Sequence, residues 1–116
     1  TFLCSLKCHY CINRFHEQNY PFLPLKLPDQ VFHWQEWATA LNQFPKECLI
    51  TMQGGEPTIF PGFSNLINNI WHNNIKILSN LFLDTSIIEL LKIKNKNNIK
   101  ITTSIQYKYT NYIKNI

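Results

Sequence analysis

Residues 48–80 read CLITMQGGEPTIFPGFSNLINNIWHNNIKILSN, and the fold is decided there. The stretch opens with an apolar run, Cys48 to Met52, that reads as a buried strand, with Cys48 a small buried hydrophobe at its start. Gly54–Gly55 end that strand. Pro61 can begin a helix at its first position, where a missing N–H is harmless. Phe63, Leu66, Ile67, Ile70 and Trp71 then recur at helical spacing and form one face. A second apolar run, Ile75 to Leu78, ends in Ser79–Asn80.

The same alternation continues outward in both directions. Upstream, Asp29 is a candidate N-cap, and Val31, Trp34, Trp37/Ala38 and Leu41 predict a helix to about Phe44, where Pro45 stops it. Pro21, Pro24 and Pro28 exclude regular helix from residues 12 to 28, and Thr1 to Leu3 reads as the end of a strand. Downstream, Asp84 or Thr85 caps a third helix whose face is Ile87, Ile88, Leu91 and the stem of Lys94. Asn95 to Asn98 form a polar turn, and Ile99 to Ile105 a fourth strand. About four strands thus alternate with three helices, which implies an α/β fold of right-handed βαβ units on a parallel sheet. Ligands of such sheets sit beyond the carboxyl ends of the strands. Gln53–Glu56, Ser79–Asn80 and Ser104–Gln106 all fall on that edge.

Composition narrows the partners. The 116 residues, 45% hydrophobic, suffice for one core, and the chain is expected to be a single domain, 1–116. A net charge of +4, with Arg14 the one arginine, is well short of a nucleic-acid footprint. No stretch approaches the ~20 apolar residues that cross a bilayer, and no basic start precedes an apolar secretory core. The expectation is a cytoplasmic protein without membrane association, its four cysteines reduced and open to a metal.

Three of those cysteines crowd into one short loop, Cys4-Ser-Leu-Lys-Cys8-His-Tyr-Cys11. Their thiolates can surround one centre, but three sulfurs leave a coordination position open. A structural zinc would need His9, His16 or Cys48 as fourth ligand. An electron-transfer 4Fe–4S cluster would likewise recruit Cys48. With three thiolates alone, one iron stays exchangeable and an outside ligand can bind it. Tyr10, just before the last cysteine, could shield such a cluster and contact a cofactor.

Met52-Gln53-Gly54-Gly55-Glu56-Pro57 follows the second strand directly. Paired glycines let the backbone approach a ligand with no β-carbon in the way. Their carbonyls, with the Glu56 carboxylate, suit an ammonium group.

CSLKCHYC followed some forty residues later by GGEP resembles the N-terminal part of the radical S-adenosylmethionine enzymes, and the resemblance runs through the fourth strand. It implies a partial (β/α) barrel of parallel strands, of which this chain would be the N-terminal portion of the core domain. It also implies a 4Fe–4S cluster on Cys4, Cys8 and Cys11, with S-adenosylmethionine chelating the fourth iron. Gly54, Gly55 and Glu56 would meet the methionine ammonium; Ser79–Asn80 and Ser104 would lie beside the cofactor. Many relatives carry an acid where this chain has Gln106. The implied reaction is reductive cleavage to a 5′-deoxyadenosyl radical that abstracts hydrogen from a small molecule, peptide or protein. A flavodoxin or ferredoxin would supply the electron.

Overall fold

A computed structural model describes residues 32–103 of the chain. Within them the order is α1 (Trp34–Leu41), β1 (Ile50–Met52), a single 3-10 turn (Pro57–Ile59), α2 (Phe63–Asn69), β2 (Asn74–Ser79), α3 (Asp84–Leu91) and β3 (Asn98–Thr103). The three strands form one parallel sheet in the order β1-β2-β3. Ile50 pairs with Ile75 and Met52 with Ile77, while Ile75 pairs with Ile99 and Ile77 with Ile101. This is the expected mixed α/β arrangement of consecutive βα units.

The core lies between the sheet and its helices. Ile75 and Ile77 on β2 pack with Phe63, Leu66, Ile67, Ile70 and Ala38. Ile50, Met52 and Ile99 extend the same layer, so one face of all three strands carries the apolar contacts. Positions 74, 76 and 78 alternate with these buried isoleucines and face the other way.

Several boundaries differ from the expectation. The first helix starts after His33, whose N–H donates to the Glu36 carboxylate at 2.8 Å; Asp29 lies outside the described residues. It ends at Leu41 and not near Phe44. The Gln43 and Phe44 N–H groups donate to Ala40 and Leu41, the tighter i→i−3 pattern with which helices unwind, and Phe44 precedes a proline. Cys48 is not on β1. Its N–H donates to the Pro45 carbonyl at 3.0 Å, so it is spent on a turn, and the side chain is half-buried. Leu49 is exposed. The second helix begins at Phe63, two residues past Pro61. Gly62 precedes it with φ 80°, and a β-carbon there would overlap the Trp34 indole. Trp71, expected on the buried face of α2, is half exposed, and its indole N–H donates to the Phe44 carbonyl at 3.1 Å.

The third helix is turned relative to the apolar pattern. Ile88 and Leu91 face solvent, whereas Ser86 is buried and Leu90 and Ile93 pack on the core. Two polar contacts hold this rotation: Ser86 Oγ lies 2.7 Å from Thr58 Oγ1, and the Glu89 carboxylate accepts from the Ser64 N–H. Asparagines clamp the helix ends. Asn42 donates to the Asn69 carbonyl and accepts from the Trp71 N–H; Asn68 donates to the Lys92 carbonyl and accepts from the Lys94 N–H. Each thus satisfies a carbonyl that a helix end leaves without an internal partner.

At the amino edge of the sheet, the Lys96 ammonium donates to the carbonyls of Ile70 and His72. Burial and the neighbouring Lys46 charge hold its pKa below the ordinary lysine value. His72 is fully buried there, with neither ring nitrogen hydrogen-bonded.

Candidate functional site

The carboxyl ends of β1 and β2 are tied together by one side chain. Beyond Met52 the chain leaves the sheet, and Gly54 takes φ 140°, a backbone region that side chains with a β-carbon avoid. The bend leads into Glu56, which caps the Pro57–Ile59 turn from an extended conformation. Pro57 stands at the first position of that turn, where no N–H is required.

The Glu56 side chain is 0% exposed. Its Oε1 accepts from the Thr58 N–H at 3.3 Å and from the Thr58 hydroxyl at 2.6 Å. The same oxygen accepts from the Ser79 hydroxyl at 2.7 Å, while Oε2 accepts from the Asn80 N–H at 2.6 Å. A single glutamate therefore bridges the β1 exit and the β2 exit. All four contacts are donors aimed at the two oxygens, so the group serves here as an acceptor throughout. Since Thr58 has one hydroxyl hydrogen and gives it to Glu56, the Thr58–Ser86 contact is satisfied by Ser86 donating in turn.

The β2 exit carries its own turn. The Asn80 side-chain oxygen accepts from the Phe82 N–H at 2.9 Å, and Ser79 Oγ accepts from the Leu81 N–H at 3.1 Å. Leu81 is held at φ 52°, the left-handed region. No lysine or arginine pairs with Glu56 among the described residues. Hydroxyls and backbone amides are thus what compensate its removal from water. What results is a glycine turn whose following glutamate is buried and hydrogen-bonded to the β2 exit.

The structure brings together Gly54, Gly55, Glu56, Ser79 and Asn80, which the sequence singled out separately. It turns the Glu56 carboxylate inward, so the direct contact with an ammonium expected of that side chain is replaced by a bridge to the β2 exit, and Gly54 and Gly55 are half-buried beside it. Cys4, Cys8, Cys11, Tyr10 and Ser104 lie outside the described residues. Among the described residues no three His, Cys, Asp or Glu side chains cluster as a metal site, and no helix is long and apolar enough to cross a membrane. Sequence reasoning missed Thr58 and Ser86. For Thr58 a signal existed, since a hydroxyl two residues after Glu56 in Glu-Pro-Thr is placed to return to the carboxylate. Ser86 carried none, as one polar residue among apolar helix neighbours. No family model, curated protein or solved structure matches the chain.

Proposed function

We propose that the chain is the cofactor-binding portion of a radical S-adenosylmethionine enzyme. In this reading β1, β2 and β3 are the second to fourth strands of a partial (β/α) barrel, with Thr1 to Leu3 the first. The observation that carries it is the Glu56 bridge, which joins the GGEP turn to Ser79–Asn80 at adjacent strand ends. The resemblance puts the methionine ammonium at the first of these and the neighbouring part of the cofactor beside the second.

Cys4, Cys8 and Cys11 would hold a 4Fe–4S cluster with one iron open. The described side fits an ammonium in that Gly54 and Gly55 bring no β-carbon to the turn and the buried Glu56 beside them pairs with no lysine or arginine among the described residues. When bound, the cluster and S-adenosylmethionine supply electron transfer and a carbon radical for hydrogen abstraction. The protein's part is orientation. Glu56 fixes the glycine turn against β2 and Ser79 and Asn80 shape the neighbouring wall, while Tyr10 and Ser104 are the residues the resemblance would add to it. The substrate is a small molecule, peptide or protein, the electron donor a flavodoxin or ferredoxin, and the setting the cytoplasm.

The alternative is a closed metal site, either zinc or an electron-carrier cluster with Cys48 as fourth ligand. Cys48 sits before the amino end of β1, on the sheet edge opposite Ser79 and the GGEP turn, beside which the proposed reading puts the cluster. Anaerobic reconstitution tests the choice. The expected result is about four irons per chain, lost in Cys4→Ala, Cys8→Ala and Cys11→Ala and kept in Cys48→Ala. A colourless protein with one zinc, or loss of the cluster in Cys48→Ala, would overturn the proposal.

A further inference from the structure

The face of the sheet turned away from the helices carries an unusual row. In register across the three strands stand Thr51 on β1, Lys76 on β2 and Lys100 on β3. Ile50 and Met52 flank Thr51 and Ile75 and Ile77 flank Lys76 in the apolar layer, and Ile99 of the same layer precedes Lys100. Strand alternation therefore sends Thr51, Lys76 and Lys100 to one common side. One step below, the Asn98 side chain donates to Asn74 Oδ1 at 2.7 Å, across the same two strands.

Two ammonium groups directly opposite on neighbouring strands repel each other, and such pairs destabilise a sheet. Nothing among the described residues relieves this pair. Among the described residues neither lysine has a hydrogen-bond or ion-pair partner. The described carboxylates are elsewhere: Glu36, Asp84 and Glu89 on helices, Glu47 in the turn before β1, and Glu56 beneath its own turn. Thr51 and Lys100 are exposed and Lys76 half-buried, so the row is open to solvent. Parallel sheets ordinarily bury both faces in apolar side chains. This row instead offers one hydroxyl and two positive donors, about 4.8 Å apart from strand to strand.

From this we infer that Thr51, Lys76 and Lys100 form a subsite for a phosphoryl group, the compact dianion that two ammoniums and a hydroxyl can bracket together. Lys76 precedes Ser79–Asn80 by three and four residues, roughly 10–13 Å along the strand. A phosphorylated small molecule held here would present its far end at the carboxyl edge. Only that last step rests on the function proposed above. The substrate class becomes a phosphate ester of low molecular weight.

Amide chemical shifts of the isotope-labelled 116-residue chain, titrated with sodium phosphate at constant ionic strength, test the subsite without cluster or S-adenosylmethionine. Saturable shifts centred on Thr51, Lys76 and Lys100 are expected, with affinity about tenfold weaker in Lys76→Gln/Lys100→Gln and unchanged in Lys94→Gln. Shifts that do not saturate, or a double variant that titrates like the parent, would overturn the inference. Tighter saturation of the same amides by glutarate would also overturn it, reassigning the row to a carboxylate. Should the double variant lose its dispersed spectrum, Lys100→Gln, at an exposed position, makes the same comparison. Phosphate binding in a chain that takes up no cluster would retire the enzymatic reading and leave the subsite standing.

Discussion

Replacing Glu56 with glutamine keeps shape and volume but changes one acceptor oxygen into a donor amide. The carboxylate receives four hydrogen bonds, three on Oε1 and one on Oε2. If the glutamine oxygen takes the Oε1 position, its amide faces the Asn80 N–H, donor against donor. If the oxygen takes the Oε2 position, the amide faces the Thr58 N–H and two hydroxyls, which can rotate away while the backbone N–H cannot. Either way one buried backbone donor is orphaned, at about 1–3 kcal/mol, and the surviving bonds weaken from charged to neutral acceptors. Against this stands the relief of an unpaired buried charge. Because donors already surround that charge, the relief is the smaller effect. A net loss near 2 kcal/mol follows for Glu56→Gln, and about twice that for Glu56→Ala, which orphans both backbone amides. Urea unfolding followed by tryptophan fluorescence measures the loss, and hydrogen exchange at the Asn80 amide locates it. A Glu56→Gln chain within about 0.5 kcal/mol of the parent, with Asn80 still protected, would refute the bridge. If the substitution weakened S-adenosylmethionine binding and left stability alone, the carboxylate would be a ligand and not a strut.

Other substitutions probe the frame around the site. Gly62→Ala combines a positive φ with overlap on the Trp34 ring, so a loss of about 2–4 kcal/mol is expected in the same unfolding assay. His72→Leu replaces a buried ring whose nitrogens have no partners with an apolar side chain, and should raise the melting temperature, by about 1 kcal/mol in stability. Burial pushes the Glu89 carboxyl up, but hydrogen bonds from Lys92 and Ser64 outweigh it and hold the pKa below 4.5. A depressed carboxylate stabilises the fold above its unfolded pKa. That contribution is present at pH above 4.5 and is lost as pH falls through the lowered folded value, a decline that Glu89→Gln should remove from the acid limb of stability against pH.

The order of strands and helices was legible because it depends on short-range pattern. Phe63, Leu66, Ile67 and Ile70 at helical spacing, and Ile75 and Ile77 at strand spacing, face the same core. What failed depended on polar contacts between distant residues. The apolar pattern of α3 pointed to Ile88 and Leu91, yet Ser86 and Glu89 bond to Thr58 and Ser64 and turn those two outward. Cys48 looked like strand because its neighbours are apolar, while the Pro45 carbonyl had claimed its N–H. At the site, the Gly54–Glu56 turn and the Ser79–Asn80 pair were each visible. Their union through a carboxylate was not, since it spans more than twenty residues and exists only once β1 and β2 are in register. The cysteine loop is read from the sequence alone.

The central claim is an open iron beside an ammonium-binding turn, and electron paramagnetic resonance of the reduced, reconstituted chain tests it most directly. Adding S-adenosylmethionine should change the cluster's g-values, and Glu56→Ala or Gly55→Val should weaken that response while the cluster remains. A spectrum indifferent to S-adenosylmethionine in a chain carrying its full complement of iron would contradict the claim.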